Sequence, residues 1–331
     1  MIDRERARRA FADYVAPYDP HNPRISLKVA HTYRVAAMAE RIARSLAMGP
    51  DDVDLAWACG LLHDIGRFEQ VRRWDTFSDA RSTSHARLGV EVLWGPRERL
   101  GAPVGPDDPG AATPRIRDFL PSPKDDALLR TAIALHSDFR LPQELDARTR
   151  TFAEILRDAD KVDILRTVQA DTPETIIGYT ADELLASELS PAALTAFAER
   201  RCMRREEREH PADFLVAFAC FVFELVHPEA RRATLEQGHA FELLERPFNI
   251  AEPFRDPSTR RELARMSLEL RSYLETSSKD APQNTAREGR AAGETRETPT
   301  PGETRETLAP GEAREPHGPS PSAPAPSDRK A

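Results

Sequence analysis

Apolar residues recur every three or four positions along most of the first 274 residues, and no stretch shows the strict alternation of a half-buried strand. Leu27, His31, Val35, Met38, Ile42 and Leu46 define one helical face. Asp51 and Asp52 precede a second helix over 55–64, which Gly66 is expected to end. A third helix is predicted over 84–94. Between Gly95 and Lys124 lie seven prolines and four glycines, which predicts a long irregular loop. Helices are predicted again over 125–137, 149–169, 181–188, 191–207, 212–226, 228–244 and 258–275. The fold class read from this pattern is all-α: a helical bundle, with the second half packed as extra helices on the first.

The pattern stops near residue 276. From Thr276 to Ala331 there are nine prolines, and Leu308 is the only large apolar residue. Such a segment cannot bury enough apolar surface to offset its ordering entropy, so a disordered tail is expected. It carries a nine-residue repeat, GETRETPTP from Gly293, GETRETLAP from Gly302 and GEAREPHGP from Gly311. A solenoid repeat needs an apolar face for stacking, and this one has none. The expected organisation is a metal-binding catalytic domain over 1–170, an accessory helical region over 171–275 and the repeat tail over 276–331.

Without the tail, 39 basic residues face 46 acidic ones, a formal charge of −7. That balance argues against a general nucleic-acid surface or an anionic membrane surface as partner. Cys59, Cys202 and Cys220 are odd in number, and two sit in apolar runs, so they read as buried free thiols in a reducing compartment. No apolar core for a secretory signal opens the sequence, and the apolar run 214–226 is too short to span a bilayer. A cytoplasmic protein is expected.

Six residues change this picture from a generic bundle to a candidate enzyme. His31 falls inside its apolar stripe, and His63 sits one turn beyond Cys59, followed directly by Asp64. His85 shares a face with Leu88 and Val92, and His136 with Leu129, Ala132 and Ile133. Asp160 lies in the run Phe152, Leu156, Asp160, Ile164, Val168, where each step is four residues. Five helices thus each turn an ionisable group inward. Burying such groups singly is costly, whereas burying them around a cation makes each one's presence favourable. Four histidines and two aspartates form an N/O ligand set for one or two divalent ions such as Mn, Fe, Co, Ni or Zn. Asp158 and Asp163 lie off the Asp160 face and are weaker ligand candidates. There is no P-loop, no dinucleotide-binding glycine motif and no zinc-finger cysteine spacing.

The segments HTYRVAAMAERIA, GLLHDIGRFEQ, SHARLGVEVL, AIALHS and ILRDADKVDIL resemble the ordered motifs of the HD superfamily of metal-dependent phosphohydrolases over residues 27 to 170. The resemblance implies core metal ligands at His31, His63, Asp64 and Asp160. It also implies a second metal at His85 and His136, with Asp64 bridging, as in the HD-GYP-like branch. The chain departs from true HD-GYP domains by a single His136 where they have a pair, and by lacking the GYP motif, which argues against cyclic di-GMP.

The activity implied is hydrolysis of a small phosphate ester, foremost a nucleotide or cyclic nucleotide, by attack of a metal-bound hydroxide. Asp64, Arg67 and Glu69 are the candidate catalytic residues, Arg67 as a phosphate grip and Glu69 as a proton donor or a partner of Arg72 and Arg73. Arg67, Arg81 and Lys28 are candidate substrate contacts, with FSDARST a candidate active-site loop around Asp79, Arg81 and Ser84. Two other readings remain: an HD-type two-iron oxygenase, since inositol and phosphonate oxygenases use a similar ligand set, and a non-catalytic signalling module. The oligomeric state is not encoded in any pattern recognised here.

Overall fold

The computed structural model describes residues 2–95 and 115–279, which all belong to one compact unit, Met1–Asn284. Most of the expected loop after Gly95 and nearly all of the repeat tail lie outside the described residues. No strand occurs among the described residues, in line with the all-α expectation. The helices are α1 (Arg4–Val15), α2 (Pro23–Ser45), α3 (Pro50–Leu62), α4 (Gly66–Trp74), α5 (His85–Trp94), α6 (Ile116–Phe119), α7 (Asp126–Leu135) and α8 (Ala147–Gln169). They continue with α9 (Pro173–Ile176), α10 (Ala181–Ala186), α11 (Pro191–Ala198), α12 (Asp213–Ala219), α13 (Pro228–Gln237), α14 (His239–Glu245) and α15 (Pro257–Ser277).

Local chemistry starts the helices that carry the candidate ligands. Asn22, Ser84 and Asp146 cap α2, α5 and α8 by accepting the backbone N–H of Arg24, Arg87 and Thr149. Pro23 and Pro50 open α2 and α3, where a missing N–H costs nothing.

Several expected boundaries are corrected. Gly66 does not end a helix; α3 stops at Leu62 and Gly66 is the first residue of α4. Its lack of a side chain serves packing, because a Cβ there would collide with the His85 carbonyl and with the Gly89 backbone of α5. The helix expected over 228–244 breaks at Gly238, whose φ of 77° lies in the left-handed region. The helix expected over 191–207 ends at Ala198, followed by Arg200 at φ 53°. Beyond it, Cys202 and Met203 are buried among the charged residues of 200–208. The run 212–226 is α12 continued by a 3₁₀ segment, Cys220–Glu224.

Two hydrophobic clusters organise the unit. The first draws on residues from Ala7 to Val162 and on Leu225, Ala230 and Ala233. The second runs from Leu165 to Leu274. Helix α8 belongs to both: Phe152, Ile155, Leu156, Ala159 and Val162 feed the first cluster, Leu165 and Val168 the second. In the first, α2 packs on α3 and α8, α5 on α4 and α7, and α7 on α8. Those pairings bring the candidate ligands together.

Candidate metal centre

His31 comes from α2, His63 and Asp64 from the end of α3, His85 from the first turn of α5, His136 from the end of α7 and Asp160 from the middle of α8. All six converge. Asp64 is 2% exposed, and its two oxygens face different histidine pairs. Oδ2 lies 3.6 Å from Nε2 of both His31 and His63. Oδ1 lies 3.5 Å from His85 Nε2 and 3.8 Å from His136 Nε2. Asp160 Oδ1 joins the first pair, 3.2 Å from His31 Nε2 and 3.6 Å from His63 Nε2. Side-chain exposure is 13% at Asp160 against 6% or less at the other five, so the centre reaches solvent on the Asp160 side.

The other ring nitrogen of each histidine is fixed from outside. His63 Nδ1 is 2.7 Å from the Gly60 carbonyl and His136 Nδ1 is 2.7 Å from the Ile133 carbonyl, each three residues back on its own helix. A carbonyl only accepts, so both Nδ1 atoms carry the proton. His31 Nδ1 is 2.7 Å from Asp163 Oδ2, and His85 Nδ1 is 2.7 Å from Asp79 Oδ2. Both carboxyls are held below their ordinary range. Burial opposes that shift; at Asp163 it is outweighed by His31 and Arg34, and at Asp79, held at about 2, by His85 and Arg67. As carboxylates they too can only accept. With its Nδ1 committed outward, each ring turns its Nε2 and, where neutral, that atom's lone pair toward the interior.

Those nitrogens face one another. Nε2 of His31 and His63 are 3.3 Å apart, and Nε2 of His85 and His136 are 3.0 Å apart. Burial, then the neighbouring His85 and His63, push His136 down to about 3, so its ring is neutral near pH 7. Burial and then Arg67 lower His85 as well. At His63 burial works downward, but Asp64 and Asp160 outweigh it and raise the group, so the carboxylates reward positive charge at that nitrogen. Burial likewise opposes ionisation of Asp64, yet Lys28, His63, Arg67 and His85 hold it well below the usual carboxylate range. Four imidazole nitrogens and two carboxylates gathered this closely, with Lys28 donating to Asp64 alone, fit a cation. Three donor groups suited to one emerge: His31, His63 and Asp64; His63, His136 and Asp160; and Asp64, His85 and His136.

The remaining candidates divide. Lys28 Nζ lies 2.6 Å from Asp64 Oδ2, so it belongs to the centre and is not a solvated surface charge. Arg67 Nε is 3.5 Å from Asp64 Oδ1, while its Nη1 donates to Gln70 Oε1 at 2.8 Å and to the Phe77 carbonyl at 2.7 Å. Arg81 is exposed and bonds Thr76 Oγ1 at 3.1 Å, on the candidate loop without touching a ligand. Glu69 is corrected. It is buried and ion-paired to Arg72 at 2.7 Å and Arg73 at 2.5 Å, which hold it ionised against the cost of burial and leave it no proton to donate. Sequence reasoning named Asp79 and Asp163 but missed their work behind His85 and His31. For Asp163 a signal existed: it lies three residues after Asp160, on the adjoining face of α8.

A helical bundle whose core converges four histidines and two aspartates defines a metal-binding class of protein. The family model described as the HD domain matches residues 29–186, from α2 through α10, so this segment of the chain carries an HD domain. No curated protein and no solved structure gives a match.

Proposed function

We propose that the protein is a phosphohydrolase that cleaves a small phosphate ester, a nucleotide or cyclic nucleotide, with two divalent ions. The observation that carries this reading is the split allegiance of Asp64. One oxygen faces His31 and His63, the other faces His85 and His136, and two cationic side chains stand at the same carboxylate. His31, His63, Asp64 and Asp160 would hold one ion; Asp64, His85 and His136 would hold the other. Ions bound there supply a water of lowered pKa and neutralise charge on phosphoryl oxygens.

The chain's own contribution is grip and orientation. Lys28 and Arg67 flank the half-buried Phe77 ring, with Lys28 Nζ at 5.5 Å and Arg67 Cζ at 5.6 Å from its centroid. Two cations beside an aromatic face suit a phosphate attached to a base. Arg67 is pinned through Nη1, so its fork is preorganised toward Asp64. Arg81, exposed on the same turn as Asp79, would be a further contact for the rest of the substrate. The six ligands are nearly sealed, which raises the strength of every charge interaction among them. Among the described residues no helix is long and apolar enough to cross a membrane.

The test is a panel of nucleotides and cyclic nucleotides with the full chain, supplied with Mn or Co under anaerobic conditions. Product release that disappears in Asp64→Ala is expected. Turnover that requires oxygen and bound iron would overturn hydrolysis in favour of oxygenase chemistry.

A further inference from the structure

The centre is two half-sites of the same construction. Each has one histidine at a helix end, backed by the carbonyl three residues earlier (His63, His136), and one backed by an aspartate (His31, His85). The two backing aspartates are not equivalent. Asp163 accepts from Arg34 Nε at 2.6 Å and Thr167 Oγ1 at 3.3 Å, neither of which bonds Asp64. Asp79 accepts from Arg67 Nη1 at 3.1 Å, and Arg67 is one of the two cations at Asp64.

The geometry points to Asp79 as the positioning residue that ties the second half-site to the phosphate grip, orienting His85 through one oxygen and Arg67 through the other. This rests on the two-ion reading above. Asp79 is itself held. Gln70 is fully buried, and its Nε2 lies 2.9 Å from Asp79 Oδ1, 2.8 Å from Ser82 Oγ and 3.0 Å from the Thr83 carbonyl. Its Oε1 accepts from the same Arg67 nitrogen. The turn between α4 and α5 is thereby locked around one carboxylate. A carboxylate behind a ligating imidazole fixes the tautomer and raises ligand basicity, and losing it typically costs about 10–100-fold in metal affinity. Losing Asp79 also removes one of the three acceptors that hold Arg67 Nη1 and unseats Gln70, which supplies another, so ion binding and substrate binding should weaken together.

The experiment is calorimetric titration of manganese(II) into the chelator-stripped full chain, for wild type, Asp79→Asn, Asp79→Glu, Asp163→Asn and His85→Ala. Wild type should take up two ions. Asp79→Asn should keep the first and weaken the second by about 10–100-fold, approaching the one-ion limit set by His85→Ala. Asp163→Asn should weaken the first instead. In turnover, Asp79→Asn should also raise KM for the phosphate ester, and Asp79→Glu should recover part of the second-ion affinity. Should Asp79→Asn not fold, Asp79→Glu against wild type reads the same second step, because a displaced carboxylate weakens it and a bystander does not. Two ions bound alike by wild type and the Asp79 variants overturn the role of Asp79 and leave the two-ion function standing. Equal weakening of both ions by Asp79→Asn marks a merely structural residue. A wild type that binds a single ion overturns the two-ion function itself.

Discussion

Buried polar groups occur in both hydrophobic clusters, and how they are satisfied separates the two. In the second cluster, Asp213 is completely buried and accepts the backbone N–H of Ser190, Glu209 and His210, each at 2.9 Å. Gln169 clamps the turn after α14 by accepting from Phe248 N at 3.1 Å and donating to the Arg246 carbonyl at 2.9 Å. At the junction of the clusters, Asp158 accepts from Val226 N, His227 N and His227 Nδ1. Every acceptor there meets a donor. In the first cluster, four imidazole nitrogens and two carboxylates meet mostly other acceptors. Satisfied burial builds a fold, whereas acceptors that outnumber their donors build a site, because a bound cation resolves the excess.

The comparison is sharpest when one residue is removed from each side. His63→Ala should lower metal affinity by more than the roughly 100-fold expected of an outer-sphere change, while the metal-free protein stays folded. Asp213→Ala should do the reverse. Metal content should hold, and denaturant titration should show a loss of about 3 kcal/mol, since three backbone N–H groups, one buried and two part-buried, lose their acceptor. Equal effects of both variants on metal content would erase the distinction.

Much of this contrast was legible in the sequence. His31, His63, His85, His136 and Asp160 could be placed because each sits beside apolar residues at helical period, so direction followed from spacing; Asp64 followed from its place directly after His63. Asp79 could not, because its position depends on how the turn between α4 and α5 closes around Gln70. Gly66 was misread for a related reason. A glycine after a helical run signals a stop, and only the close approach of α5 reveals that it begins the next helix. Lys28 shows the limit of reasoning along one helix, because its partner comes from another; Glu69 pairs along its own helix, one of the two readings its spacing allowed. Their partners, Asp64 for one and Arg72 with Arg73 for the other, decide which joins the site.

Smaller effects follow for residues at the edge of the centre. Lys28→Gln and Arg67→Gln should each raise KM for a phosphate ester by about 10–100-fold, matching a charge-assisted hydrogen bond of about 1.5–3 kcal/mol, with the metal retained. An unchanged KM in both would remove the phosphate grip from the account. Glu69→Gln should leave turnover within about twofold and cost about 1–2 kcal/mol of stability through its ion pairs. A large loss of kcat would restore it as an acid. Removal of residues 285–331 should change neither metal uptake nor turnover, since every ligand lies between His31 and Asp160.

The central claim is that Asp64 joins two half-sites. Its most direct test is the stoichiometry of manganese(II) or zinc binding to the chelator-stripped full chain, measured by calorimetry and elemental analysis for wild type and Asp64→Ala. Two ions per chain in wild type, with both lost or severely weakened in Asp64→Ala, is the predicted result. No tightly bound ion in wild type, or two ions still held in Asp64→Ala, would contradict it.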